Sequence, residues 1–129
     1  MPRAQLQSTS AQATERAAAA VGRELRPGDV VLIAGDLGTG KTTFVRGACR
    51  ALGIDDRVTS PSFTIGHTYD GPVPVAHVDL FRLESLAGED PALLSDYLTP
   101  ERVAFVEWPG AAAAEIPRDR VVLELRLER

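Results

Sequence analysis

A glycine-rich loop that ends in lysine and threonine carries the clearest chemical pattern in this sequence. Residues 35–42 read GDLGTGKT and match G-x-x-x-x-G-K-[ST], the pattern of loops that wrap nucleotide phosphates. Glycines let the backbone approach a phosphate closely, and the N–H groups of such a loop converge on the anion. We therefore expect Lys41 to reach the β- and γ-phosphates and the Thr42 hydroxyl to ligate Mg²⁺.

The residues on either side of this loop predict the strand and the helix that its mechanism requires. A β-branched apolar run at 30–34 predicts a buried strand, and residues 43–52 predict a helix that ends at Gly53. This strand–loop–helix order favours a nucleoside-triphosphate site. The predicted phosphate contacts are Asp36, Leu37, Gly38, Thr39, Gly40, Lys41, Thr42 and Thr43.

Two acidic residues that follow other apolar runs are candidates for the acid that a nucleotide-hydrolysing site needs in addition to its phosphate loop. Hydrolysis requires an acid that organises Mg²⁺ and water. Glu107 follows the run at 103–106, and Asp79 follows the run at 75–78, so each is expected at the end of a buried strand. We predict Asp79 and Glu107 as catalytic residues; an ordinary acid at a strand end is the alternative for each.

Five further side chains have reactive or aromatic groups. The hydroxyl-rich stretch around Ser60 is typical of loops that sense a γ-phosphate, and equally of a plain polar turn. Trp108 is expected to stack on a base, to anchor a partner or to pack in the core. His67 and His77 lack the spacing of metal ligands, which predicts structural or strand-surface roles. Cys49 is predicted to be a small buried thiol in the helix.

The whole pattern predicts a single α/β P-loop NTPase domain of 129 residues. We expect a central, mostly parallel sheet around the strands at 30–34 and 103–106, with helices on both faces and the nucleotide at the carboxyl ends of the parallel strands. The sequence Asp70-Gly71 predicts a hairpin that adds an antiparallel pair. Towards the N-terminus we predict a loose lead-in over 1–10 and then a helix over 10–25. Ser10 or Thr14 would cap this helix, and its residues at helical spacing are Ala13, Ala17, Ala20, Val21 and Leu25. The other predicted elements are hairpin strands over 63–70 and 73–80, a helix over 84–98 that is interrupted or restarts near Asp90-Pro91, a loop over 109–119 with room for one helical turn, and a closing strand over 121–127.

Composition limits the kinds of partner and the cellular compartment that we expect for this protein. The formal net charge is −4, which argues against a protein that grips nucleic acid by itself, because that requires a clustered basic surface. No apolar run approaches the length that spans a membrane, and residues 1–12 lack the apolar core of a signal peptide. A single cysteine fits a reducing compartment, so we expect a cytoplasmic protein.

Four segments together resemble the TsaE (YjeE) family of small bacterial P-loop ATPases. GDVVLIAGDLGTGKTTFVRG resembles the family's phosphate loop, and VTSPSFTIGHTYDG resembles its SP-containing segment. VAHVDLFRL is similar to the family's H-x-D-L-Y-R-L motif, and VAFVEWPG to its E-W motif. A P-loop alone is shared by many families, whereas this combination is highly specific, and it covers residues 26–108.

The resemblance implies a part in making N6-threonylcarbamoyladenosine at position 37 of tRNA. It implies that the chain binds ATP and Mg²⁺ and releases ADP. It also implies association with a TsaD–TsaB pair that transfers the threonylcarbamoyl group, and ATP hydrolysis would reset this pair between turnovers. Contact with tRNA would then occur only through that complex. By position it implies Lys41 and Thr42 as phosphate and Mg²⁺ contacts, Glu107 as the second Mg²⁺ ligand, and Asp79 as the acid that orients water or metal. It also places Ser60 in a switch-like loop and Trp108 near the nucleotide.

This sequence departs from the family pattern at several positions. Gly110 stands where a second glutamate is frequent, so any role of that acid is lost or moved. Ser62 replaces a threonine and Phe81 a tyrosine, and both changes are mild.

Two other functions compete with an ATPase. A small-molecule kinase needs an acceptor pocket and an arginine-rich lid, and the arginines of this chain are scattered singly. A non-hydrolytic nucleotide-sensing module needs no pair of acids, so Asp79 and Glu107 argue against it.

Overall fold

The computed structural model describes residues 3–7, 10–35, 40–55, 57–58, 66–80, 92–107, 116 and 118–128. Within them, six strands form one sheet in the order β1-β6-β2-β5-β4-β3. All neighbours are parallel except the antiparallel pair of β3 and β4. The elements are β1 (Arg3–Gln7), α1 (Ala11–Gly22), β2 (Val30–Ala34), α2 (Lys41–Ala51), β3 (Gly66–Tyr69), β4 (Val75–Asp79), α3 (Ala92–Ser95), β5 (Val103–Glu107), a 3₁₀ turn (Arg118–Arg120) and β6 (Val121–Glu128).

The two central strands, β2 and β5, are buried on both faces of the sheet. On one face, Val31, Ile33 and Phe105 belong to a core that includes the apolar residues of α1 and α2. On the other face, the strand residues pack with Leu94 and Leu98, in α3 and just after it. Burial on both faces explains why these strands are continuous apolar runs rather than alternating ones. The predicted fold class is confirmed.

Helix α1 positions α2 through an unusually close approach of the two backbones. A Cβ at Gly22 would lie 2.7 Å from the Ala48 carbonyl oxygen, and a Cβ at Gly47 would lie 2.7 Å from the Glu15 carbonyl oxygen. Only glycine fits at these two contacts. Ser10 caps α1, because its hydroxyl accepts a hydrogen bond of 3.1 Å from the Ala13 N–H.

In the N-terminal region, the predicted lead-in is wrong and the predicted helix is confirmed. Residues 3–7 are not a loose lead-in, because β1 pairs in parallel with β6. The buried positions of α1 are Thr14, Ala18 and Gly22. The apolar residues at 13, 17 and 21 are half-buried, and Ala20 is exposed. Small residues at a spacing of four form this face because α2 lies so close. Leu25, which is predicted inside the helix, lies beyond its end and is buried.

The predictions for the rest of the sheet agree with the structure. Strands β2 and β5, the antiparallel hairpin and the closing strand β6 are present, and α2 begins at Lys41 rather than at residue 43. The predicted segments 63–65, 84–91 and 109–115 lie outside the described residues. In the described part of the chain, no helix has the length and apolarity needed to cross a membrane.

Candidate functional site

The carboxyl ends of three parallel strands meet at one edge of the sheet. Glu107, the last residue of β5, is aligned with Ile33 of β2 on one side and with Asp79 of β4 on the other. Neighbouring strands are about 4.8 Å apart, so these three ends are adjacent. Gly35 follows β2 directly, which brings the start of the glycine-rich loop to the same edge. In open α/β sheets this edge is where ligands bind.

Lys41 brings a buried positive charge to this edge. It is the first residue of α2, it is only 6% exposed, and its Nζ donates a hydrogen bond of 2.8 Å to the Gly35 carbonyl oxygen. Gly40 precedes it with φ of 94°, a left-handed conformation that favours glycine, and provides no side-chain cap. The ammonium and the positive end of the helix dipole therefore both favour an anion here.

Glu107 and Asp79 bring two carboxyl groups to the face of the sheet that α1 and α2 cover. Aligned residues of parallel strands point to the same face, and Ile33, which is aligned with Glu107, belongs to the core on that side. Glu107 is 2% exposed and Asp79 is half-buried. A divalent cation with oxygen ligands would offset the repulsion between two such neighbouring carboxylates.

His77 makes a buried polar contact with one of these two acids. It precedes Asp79 by two positions on β4, so it lies on the same face, and its Nε2 contacts Oε2 of Glu107. Its side chain is fully buried, which rules out the strand-surface role and leaves the structural one. Sequence spacing gave no sign of this contact, because it depends on how β4 aligns with β5. His67 is half-buried and contacts the Tyr69 hydroxyl.

The described residues can contribute to a magnesium site but do not enclose a metal. In the parts of the chain described, no group of three or more His, Cys, Asp and Glu side chains is arranged to hold a metal ion. Magnesium typically takes one or two carboxylates and completes its shell with phosphate oxygens and water. Thr42 and Thr43 lie half-buried in the first turn of α2, beside Lys41. Glu107 and Thr42 therefore fit the donor set for Mg²⁺ held jointly with a nucleotide.

The other predicted site residues have no described position. Asp36, Leu37, Gly38, Thr39, Ser60 and Trp108 lie outside the described residues. Cys49 is buried in α2 as predicted, and burial raises the pKa of its thiol to about 12. A groove of about 400 Å³ between α1 and α2 is lined by Gln12, Glu15, Arg16, Ala19, Arg23, Gly47, Arg50 and Ala51, none of which is a predicted site residue.

The chain is similar to known proteins over most of its length. The family model described as "Threonylcarbamoyl adenosine biosynthesis protein TsaE" matches residues 8–129. The tRNA threonylcarbamoyladenosine biosynthesis protein TsaE of Treponema pallidum (strain Nichols) is 38% identical over 120 residues, which cover 93% of this chain and 89% of that protein. The protein of the same name from Streptomyces coelicolor is 41% identical over 109 residues, which cover 81% of this chain and 72% of that protein. The crystal structure of Bacillus subtilis YdiB matches with a TM-score of 0.72 at 31% sequence identity, and the match covers 95% of this chain and 76% of that one.

Proposed function

Because this chain belongs to the TsaE family, we propose that it binds and hydrolyses Mg²⁺-ATP in support of threonylcarbamoyladenosine synthesis on tRNA. One observation carries the proposal. A buried lysine at the start of α2 lies at the sheet edge where Glu107 and Asp79 end neighbouring strands. This arrangement offers a positive site for phosphates beside an acidic site for a cation and water.

In this proposal, Lys41 and the first turn of α2 hold the β- and γ-phosphates. The Nζ group exchanges its hydrogen bond to the Gly35 carbonyl for phosphate oxygens when ATP binds. The Thr42 hydroxyl and the Glu107 carboxylate would hold Mg²⁺, which supplies charge neutralisation at the phosphates when bound. The remaining loop residues, Asp36 to Thr39, contribute backbone N–H groups.

Asp79 orients the attacking water. Its carboxylate accepts a hydrogen bond from that water, whose oxygen forms a bond to the γ-phosphorus while the bond from this phosphorus to the β,γ-bridging oxygen breaks. The electron pair of the broken bond stays on that oxygen, and the products are ADP, inorganic phosphate and one proton. Asp79 is suited to this because it is half-buried, whereas Glu107 is fully enclosed.

We propose that ATP hydrolysis by this chain serves a complex with TsaD- and TsaB-type proteins. The relatives that this chain matches are named for threonylcarbamoyladenosine biosynthesis. A net charge of −4 is consistent with contact to tRNA through partners rather than through a basic groove of its own. Hydrolysis would then reset the transferase between turnovers, with the chain working in the cytoplasm.

Steady-state phosphate release from ATP by the purified chain tests the proposed activity. We expect slow, Mg²⁺-dependent release that Lys41→Ala abolishes. If labelled γ-phosphate passes instead to a small-molecule acceptor, the chain is a kinase. If ATP binds and no phosphate is released even with partners present, the chain is a nucleotide-sensing module.

A further inference from the structure

The contact between His77 and Glu107 is a buried polar pair at the proposed magnesium site. The side chain of His77 is 0% exposed and that of Glu107 is 3% exposed. A carboxylate removed from water in this way needs hydrogen-bond donors, and the His77 Nε2 lies against one of its two oxygens. Among the described residues, the other ring nitrogen of His77, Nδ1, is buried and has no hydrogen-bond partner.

The contact with Glu107 determines the hydrogen-bonding role of one ring nitrogen. A carboxylate oxygen accepts hydrogen bonds, so Nε2, the nitrogen that faces it, carries the proton of this contact.

We propose that His77 is a positioning residue that orients the Glu107 carboxylate for Mg²⁺ by donating its Nε2–H to Oε2. This inference rests on the proposed function, in which Glu107 is a ligand of Mg²⁺. The hydrogen bond engages Oε2 and fixes the rotation of the carboxylate, so that Oε1 is presented in one orientation. Hydrogen bonds from residues behind a ligating carboxylate are a general way to orient metal ligands.

The strand alignment explains why this residue type is needed at this position. His77 is aligned with Phe105, which lies two residues before Glu107 on β5. The ring of His77 must therefore extend along the sheet toward the strand end to reach the carboxylate. Glutamine has an amide N–H at nearly the distance from the backbone that Nε2 has in histidine. Leucine fills a similar volume and has no donor. These two substitutions therefore separate the hydrogen bond from the packing.

Magnesium-dependent nucleotide binding provides the first test. The full chain with a bound fluorescent ADP analogue is titrated with Mg²⁺, and the fluorescence is recorded. The affinity of the analogue for the chain is also measured in EDTA. We expect His77→Leu to raise the Mg²⁺ concentration at half-saturation by about tenfold, with little change in EDTA, and His77→Gln to restore most of the loss. His67→Leu, at the other histidine of the hairpin, is the matched control and should leave the Mg²⁺ dependence unchanged.

Two outcomes of this titration overturn the proposal in different ways. If Glu107→Gln raises the Mg²⁺ requirement and His77→Leu does not, His77 is a packing residue only. If Glu107→Gln leaves the requirement unchanged, the assignment of Glu107 as a ligand fails, and the proposed function must be revised first.

Nitrogen NMR of the unsubstituted protein provides a test that does not depend on the folding of a variant. The Nε2 atom of His77 should have the shift of a protonated ring nitrogen. Its resonance should move when Mg²⁺ is added to the ADP-bound chain. An Nε2 atom without a proton, or an Nε2 shift that does not change when Mg²⁺ is added, contradicts the proposal.

Discussion

The Nζ atom of Lys41 donates a hydrogen bond of 2.8 Å to the carbonyl oxygen of Gly35, so the two ends of the phosphate loop are joined directly. The hydrogen bond holds the charge of the lysine at the sheet edge, where the side chain is only 6% exposed. A buried ammonium in this position is prepared for an anion, because phosphate oxygens are stronger acceptors than a single carbonyl.

Removing the charge of Lys41 should abolish tight nucleotide binding. A hydrogen bond to a charged group contributes about 1.5–3 kcal/mol, so Lys41→Ala should weaken ATP binding by at least about 10- to 100-fold. Isothermal titration calorimetry measures the effect. Arg50→Ala, at the exposed end of α2, removes a positive charge outside the site and serves as control. Retained affinity in Lys41→Ala would refute the phosphate-loop assignment.

Asp79 should affect hydrolysis far more than binding. Asp79→Asn keeps the shape of the side chain and removes the charge that orients water, so phosphate release should fall by about 100-fold or more. The affinity for ATP should change little, because Lys41 and α2 hold the phosphates. Asp70→Asn, an exposed acid in the turn of the same hairpin, is the matched control. Hydrolysis at the parent rate in Asp79→Asn would show that this acid has no catalytic role.

The phosphate loop and its flanks could be predicted from the sequence, whereas the contacts between distant strands could not. The apolar run of β2 and the glycines after it are local signals. The approach of His77 to Glu107 depends on the alignment of β4 with β5, which no spacing within either strand reveals. Strand β1 was missed because it is a short edge strand whose residues are mostly polar, and it is held by pairing with β6, which the local sequence does not reveal.

Arg120 should be important for stability and not for catalysis. Its guanidinium donates hydrogen bonds of 2.7 Å to the Gly28 carbonyl, 2.8 Å to that of Leu98 and 2.8 Å to that of Thr99. Lysine cannot reach three carbonyls in this planar arrangement, so Arg120→Lys should lower the free energy of unfolding by about 2–4 kcal/mol in urea denaturation.

Arg50→Lys is the control for that substitution. The Arg50 side chain is 70% exposed and makes an ion pair of 3.5 Å with Glu15, so the change should be within about 0.5 kcal/mol. Equal stability losses in the two variants would contradict the account of Arg120 as a cross-link between loops.

The thiol of Cys49 should make the protein less stable at high pH. Burial raises its pKa from 9.0 to about 12, so between these values the folded state holds a proton that the unfolded state releases. The unfolded state then binds fewer protons, so the free energy of unfolding should fall as the pH rises, with a slope that approaches about 1.4 kcal/mol per pH unit between pH 9 and pH 12. Well below pH 9 this effect is absent. Urea denaturation of the parent and of Cys49→Ala at pH 8, 9 and 10 measures it, and an equal pH slope in both proteins would contradict the prediction.

ATP hydrolysis with and without the matching TsaD–TsaB pair tests the central claim most directly. Phosphate release by the purified chain is followed at steady state, alone and with increasing amounts of the pair, and Lys41→Ala gives the background. We predict slow turnover alone that rises and saturates as the pair is added. Turnover that is the same with and without the pair would contradict a partner-gated ATPase in threonylcarbamoyladenosine synthesis.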